Sequence, residues 1–219
     1  MASWRWRPSL RGWHTLRRWL PRGRPAPDAA LRAAAARLAA LEPALRGDPR
    51  APIPSAAVRT ALRALSAEIF DLDAMARGVL WQHWAEAPAG DRSAFLRLFT
   101  ELLGRLAVAH ALALRRVTVW PIRESAQGEH AVVVWRVSTL TAGALVEFRL
   151  RWRDGRWKVR DALVNGESFV SSCREDFHEV LRSAAWPGLL RVLGQRTHAG
   201  FVGVGLTLGP AVERPAREA

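Results

Sequence analysis

Asp154-Gly155 separates two runs of alternating apolar and polar residues, and no other feature of the chain restricts its fold more. Both centres of a type I′ turn need positive φ, which Asp and Gly tolerate, so the pair marks a tight β-hairpin. Before it, Val146, Phe148, Leu150 and Trp152 point one way, while Glu147, Arg149, Arg151 and Arg153 point the other. After it, Trp157, Val159 and, further on, Leu163 alternate with Arg156, Lys158 and Arg160. Strand side chains change face at every residue, so the hairpin has one apolar face and one basic, solvated face. Asn165-Gly166 then breaks the chain, and Ser168 opens an amphipathic segment bearing Phe169, Cys173 and Phe177. Leu145–Phe177 thus reads as a hairpin feeding a helix that covers its apolar face.

Upstream, helical spacing dominates. Asp28 is placed to cap a helix through Leu31, Leu38 and Leu41 that fails near Pro43, and GDPRAPIPS is a turn or short linker. Val58, Leu62, Leu65 and Ile69 share one face of a helix from Ser55 to Phe70. Asp71 caps a third helix carrying Met75, Val79, Leu80 and Trp84. After the loop AEAPAGD, Asp91 starts a long helix with Phe95, Leu98, Phe99, Leu102, Leu106 and His110 on one side. From Arg116 the period becomes two: VTVWPI and HAVVVWRVST precede the hairpin, giving four strands joined by SAQGE, LTAGA and RDG. Connections this short favour an antiparallel meander, with Pro121 marking an edge strand or a strand end. Another helix over Trp186–Gln195 and a loose tail from Thr197 follow. The class is α+β, with N-terminal helices, a twisted four-stranded antiparallel meander and C-terminal helices covering one sheet face. The expected organisation is a leader over 1–27, one domain over 28–196 and a tail over 197–219.

Charge bears on function in two places. The net charge is +13, but residues 1–27 hold seven arginines and no acid, leaving +6 for the rest. Lysine and arginine neutralise phosphates, so a basic module for nucleic acid or an anionic membrane is one alternative. The excess outside the leader is diffuse, and nucleic acid is not expected as a partner. Arginines interrupt the leader too often for a secretory signal. Its Leu10, Trp13, Leu16 and Leu20 share a helical face suited to a membrane interface, although a disordered leader or a mis-set start is the expected reading. No apolar run is long enough to span a membrane.

Catalytic and metal-binding patterns are weak. Gly166-Glu167-Ser168 begins a nucleophile elbow, but Val170 stands where its second glycine belongs, so Ser168 reads as a helix N-cap. Cys173, the single cysteine, sits between Phe169 and Phe177 and behaves as a small buried apolar residue. None of the histidines His14, His83, His110, His130, His178 and His198 falls in a zinc pattern, so no metal and no catalytic residue is expected. Asp161 and Arg174 are expected to form a structural ion pair. An enzyme of the NTF2-like type would need an acid–base pair inside a pocket. The apolar sheet face is either a packed core or the wall of a cavity for lipid tails, and periodicity does not separate the two.

At these residues the chain resembles the MlaC family of periplasmic phospholipid-shuttle proteins, also called toluene-tolerance proteins. FDLDAMARGVLWQHW, with Arg77, His83 and Trp84, and the following Phe95 and Phe99, resemble the family's FDF-x-x-MAR-x-x-L-G-x-HW…F-x-x-x-F stretch. WKVRDALVNGESFVSSCREDF resembles WKV-x-D-V…EG-V-S-LV-x-NYR-x-x-F through Trp157, Asp161, Gly166, Ser168, Arg174 and Phe177. Trp81, Asn165, Ser172 and Cys173 depart from those patterns, and the family's cleavable signal is not recognisable.

The resemblance implies an NTF2-like α+β fold and a non-enzymatic lipid carrier, with phospholipid as transported ligand and no cofactor. Its tails would be lined by Met75, Val79, Phe95, Phe99, Leu102 and Leu106 from helices and by Trp135, Val137, Val146, Phe148, Leu150 and Trp152 from the sheet. Phe169 and Phe177 would line them from the covering helix. Implied partners are the substrate-binding component of an inner-membrane ABC transporter and an outer-membrane lipoprotein–porin complex, with the periplasm as location. A branch of the family is associated with hopanoid metabolism, so a hopanoid or other lipid is the alternative ligand.

Overall fold

The computed structural model describes residues 23–41, 56–114, 117–138 and 143–199. Most of the leader, most of LEPALRGDPR, Ser55, the strand start at Arg116, part of LTAGA and the tail from residue 200 lie outside the described residues. Helices α1 (Pro27–Ala39), α2 (Ala56–Ile69), α3 (Leu72–Leu80), α4 (His83–Glu86) and α5 (Ala89–Leu114) come first. Strands β1 (Thr118–Gln127), β2 (His130–Ser138), β3 (Gly143–Arg153), β4 (Arg156–Val164) and β5 (Glu167–Ser168) follow, and α6 (Phe169–Ala199) is last. The order is the α+β order read from the sequence, and the sheet is a sequential antiparallel meander, β1-β2-β3-β4-β5.

Five strands stand where four were expected, because Asn165-Gly166 is itself a tight turn. Both residues have positive φ, 52° and 92°, like Asp154 and Gly155 at 52° and 73°. The chain therefore reverses and pairs Val164 with Glu167 and Leu163 with Ser168 before α6 begins. Strand β1 also runs to Gln127, through the stretch read as the SAQGE connection. A bulge between Pro121 and Arg123 leaves Ile122 as an extra residue and shifts the alternation, which hides the strand's second half in the sequence. Pro121 is tolerated there because β1 lies at the sheet edge.

A second bulge, at Arg160, reverses one expectation on β4. The register pairs Leu150 with Val159 but Arg149 with Asp161, so Ala162 and Val164 take the inner face. Leu163 is carried to the outer face, opposite Glu147.

The helix boundaries differ in instructive ways. Asp28 is not the N-cap of α1: Ala26 holds that place and Pro27 occupies the first turn, where a missing N–H costs nothing. Asp71 does cap α3, accepting from the Ala74 amide at 3.3 Å. Trp84 leaves α3, because the backbone turns at Trp81 (φ 45°) and re-enters the short α4. There Trp84 is buried between the Arg77 and Arg92 guanidinium groups, 5.1 and 5.2 Å from its ring. Helix α5 begins at Ala89 rather than Asp91, directly after Pro88. Helix α6 breaks at Ala185 (φ 52°), two residues before Pro187, and continues through Thr197 to Ala199.

Two apolar clusters result. One lies among α3, α4, α5 and α6, where Phe95 stacks on Phe99 at 5.3 Å and Phe177 meets both edge-on. The other joins α1 and α2 to the inner sheet face, around Leu31, Leu62, Val133, Trp135 and Leu150.

Candidate functional site

The space between α1, α5 and the inner sheet face is incompletely filled. A cavity of about 190 Å³ lies there, walled by Leu31, Ala34, Ala35 and Leu38 of α1 and by Leu103, Leu106, Ala107 and His110 of α5. The sheet contributes Trp135 and Val137, Val146 and Phe148, and Val159, Ala162 and Val164. Ile69, Phe70, Met75, Val117 and Phe169 complete the wall. Its origin is steric. Inner-face residues in register across β2, β3 and β4 form an apolar floor, and α1 presents alanines to it where larger side chains would fill the gap.

Helix α1 is held over this space by its buried Leu31 and Leu38 and by polar contacts at its start. Buried Asp28 accepts from Trp135 Nε1 at 2.7 Å and pairs with Arg32. Its backbone amide donates to Glu124 Oε1 at 3.2 Å, and Trp157 Nε1 donates to the Pro25 carbonyl at 2.9 Å. Arg24 donates to the Gly128 carbonyl at 2.8 Å and lies over the Trp152 ring. Near the other end, Arg37 contacts Glu68 at 2.7 Å, and Arg156 reaches the same carboxylate at 3.0 Å. The Arg37 hydrogen bond, with the charge of Arg156 in support, holds the Glu68 carboxyl below its usual range.

Of the fourteen residues expected to line a lipid cavity, the structure brings Met75, Leu106, Trp135, Val137, Val146, Phe148 and Phe169 together around this one. Val79, Phe95, Phe99, Leu102 and Phe177 pack instead in the helical cluster. Leu150 is buried between Ala131 and Val159, and Trp152 packs edge-on against Trp157 at 5.3 Å. The α1 residues were not assigned to a site, since nothing local shows where that helix docks. Ala162 and Val164 escaped notice because the bulge at Arg160 changes their parity.

The motif residues hold the hairpin to α6. Asp161 Oδ2 accepts from Ser168 Oγ at 2.7 Å, and its Oδ1 accepts from the Ala162 and Val170 amides at 3.0 and 3.1 Å. Ser168 Oγ in turn accepts from the Ser171 amide at 3.1 Å, the helix cap read from the sequence. Asp161 and Arg174 do not form the expected ion pair. Arg174 donates to the Gly78 carbonyl at 2.8 Å and lies over Trp81, while the cation near Asp161 is Arg149 at 3.9 Å. Two turn-proximal amides and a hydroxyl already meet the carboxylate, which removes the need for Arg174 there.

On the outer face, Arg149, Arg151, Arg153, Arg156 and Lys158 all meet carboxylates, those of Glu147, Glu129, Asp71, Glu68 and Asp154. The basic stripe is thus largely neutralised within the molecule. His83 Nε2 and His178 Nδ1 come within 3.0 Å, a juxtaposition of α4 and α6 without a sequence signature. Among the described residues no group of three or more His, Cys, Asp or Glu could hold a metal ion. Among them, too, no helix is long and apolar enough to cross a membrane.

A family model described as MlaC protein matches residues 46–195. A solved phospholipid-binding protein from Ralstonia solanacearum, in complex with a phospholipid, is similar in fold, with a TM-score of 0.59 and 19% sequence identity. That similarity covers 79% of this chain and 97% of the other. No curated protein matches the chain.

Proposed function

The chain belongs to the MlaC protein family, and from that premise we propose that it binds phospholipid acyl chains in the cavity beneath α1 and carries them between membranes. The observation behind this reading is the cavity wall, apolar on three sides and adjoining two packed clusters. A phospholipid-bound protein of similar fold supports it. Each methylene withdrawn from water contributes about 0.8 kcal/mol, so acyl chains are retained with little polar recognition. No bond is made or broken, and the protein is a carrier rather than an enzyme.

Ligand pockets usually measure about 300–1,000 Å³, and the 190 Å³ seen here falls below that range. Admitting a full acyl chain therefore requires the covering helices to move outward from the sheet. Family membership supports a periplasmic location. It also supports delivery to the substrate-binding component of an inner-membrane ABC transporter and exchange with an outer-membrane lipoprotein–porin complex.

The test is to purify the full chain from bacteria, extract it with organic solvent and identify co-purified lipid by mass spectrometry. Stoichiometric phospholipid is expected; protein free of any lipid would overturn the reading. A hopanoid or other lipid in the extract would keep the carrier and change its cargo.

A further inference from the structure

The outer face of the sheet changes character from one end to the other. At the hairpin end its cations are matched by carboxylates and the face is polar. At the opposite end Trp120, Arg136 and Leu145 stand in register across β1, β2 and β3. Among the described residues four large apolar side chains are well exposed, and three of them are here: Trp120 at 40%, Ile122 at 52% and Leu145 at 44%. Ile122 is the extra residue of the β1 bulge and belongs to neither apolar cluster. Val134 and Leu163, on either side of Glu147 in the next row, are buried without joining those clusters, and they form the base of the patch.

Arg136 stands in the middle of the row. It is exposed and, among the described residues, meets no carboxylate, unlike Arg149, Arg151, Arg153, Arg156 and Lys158. Nearby Arg123 reaches Glu147 at 3.6 Å. The patch thus couples exposed hydrocarbon to an uncompensated positive charge. A second polypeptide fits it poorly. Pro121 lacks an N–H and the bulge interrupts the edge strand, which opposes the addition of another strand. A stable protein interface also takes about 800 Å² from each partner, and only three exposed apolar side chains are offered here. A bilayer surface demands less: tryptophan favours the interface, aliphatic side chains enter the headgroup–acyl boundary, and a guanidinium bonds phosphate oxygens.

We propose that this patch seats the protein on an anionic lipid bilayer, with Trp120, Ile122 and Leu145 in the headgroup–acyl boundary and Arg136 on a lipid phosphate. The same strands then serve two faces. Trp135 and Val137, the chain neighbours of Arg136, and Val146, next to Leu145, line the cavity on the inner face. Seating the outer face therefore brings the sheet wall of the cavity to the membrane surface. The assignment does not depend on what the cavity holds, so it and the carrier reading fail separately.

The experiment is co-sedimentation of the full chain with vesicles of phosphatidylcholine, alone or mixed with phosphatidylglycerol. Wild-type protein should sediment with the mixed vesicles and less with the neutral ones. Trp120→Ser combined with Ile122→Ser should lower partitioning onto mixed vesicles by about tenfold or more. Arg136→Gln should lower it about fivefold there and leave neutral vesicles unaffected. All three side chains are exposed, so thermal melts of the variants should match wild type. Wild-type protein indifferent to both vesicle types, or either variant binding mixed vesicles as wild type does, overturns the proposal. Undiminished binding by the double variant would give the membrane contact to another part of the chain, the arginine-rich residues 1–27 included. Independently of lost binding, Cys173 is buried, so an environment-sensitive fluorophore attached through Ile122→Cys reports on the patch. The same fluorophore attached through Glu129→Cys reports on the far end of the β1–β2 hairpin. A blue shift with mixed vesicles is expected at the first position only; a shift at both, or at neither, overturns the assignment. A wild-type dimer in sedimentation velocity that Trp120→Ser dissociates would give the patch to a second copy and overturn it too.

Discussion

Asp28 carries more of the fold than its place on a short N-terminal helix suggests, because its carboxylate joins that helix to Trp135 in the middle of the sheet. Replacing it with alanine strands a buried indole N–H, which costs about 1–3 kcal/mol, or roughly 2–12 °C in Tm for a domain of this size. Asp28→Asn keeps an acceptor and should cost less; thermal melts of the two variants check the order. Gly104 is the opposite case, a residue defined by what it lacks. An alanine in a helix interior is ordinarily about 1 kcal/mol better than glycine. Here, however, a Cβ would stand 2.7 Å from Ser66 Oγ and 2.8 Å from Leu62 Cγ, both in buried residues of α2. Gly104→Ala should therefore destabilise by about 1–3 kcal/mol, against its helix propensity, and denaturant unfolding measures the sign. The Ser168 cap was readable within a few residues of chain, whereas Asp161, expected to pair with Arg174, instead meets Ser168 and the Val170 amide. Arg174 was not readable, since its acceptor on Gly78 is ninety-six residues away.

At the scale of elements, α1 faces the cavity with Ala34 and Ala35 between Leu31 and Leu38, and the space depends on those two small side chains. Ala35→Leu places a larger side chain in the space and should leave stability unchanged or raised by up to about 1 kcal/mol. It should also lower the amount of co-purified lipid, measured per mole of protein. Lost stability with lipid content unchanged would separate the cavity from the ligand. The far end of α1 is tied through Glu68, whose folded pKa lies below its ordinary value. A carboxyl depressed on folding contributes stability above its unfolded pKa of about 4.3, and loses it as pH falls through the lower folded value. Protection of α1 amides from hydrogen exchange, relative to their intrinsic rates, should accordingly fall below about pH 4, and Glu68→Gln should remove that acid step. The group is exposed, so the effect is small. Strand β1 and the end of β4 show where element reading failed: in both, one extra residue at a bulge shifts the period-two alternation by one position. The hairpin at Asp154-Gly155 succeeded because it contains no bulge before Val159 and its turn chemistry is local.

For the molecule as a whole, net charge is a poor guide to partners. The arginines of β3 and β4 meet acids from α2, from the α3 N-cap and from neighbouring turns, so little of the stripe is left to neutralise nucleic acid phosphates. Raising salt from about 50 to 200 mM should leave bound lipid in place, whereas phosphate-driven nucleic acid binding would fall by orders of magnitude. A filter-binding titration with a single-stranded oligonucleotide beside a lipid-retention assay distinguishes the two. The α+β order, the meander, the Asp71 and Ser168 caps and the apolar strand face are all set by contacts among near neighbours. Turn propensity, capping and side-chain period act over a few residues, which is why the sequence alone determined them. Where the apolar face is packed and where it is hollow was decided only in three dimensions. Phe95, Phe99 and Phe177 fill one cluster, while Ala34, Ala35, Ala162 and His110 border a space. Those four come from three separate elements, and the volume left between elements depends on their docking, which no local pattern encodes.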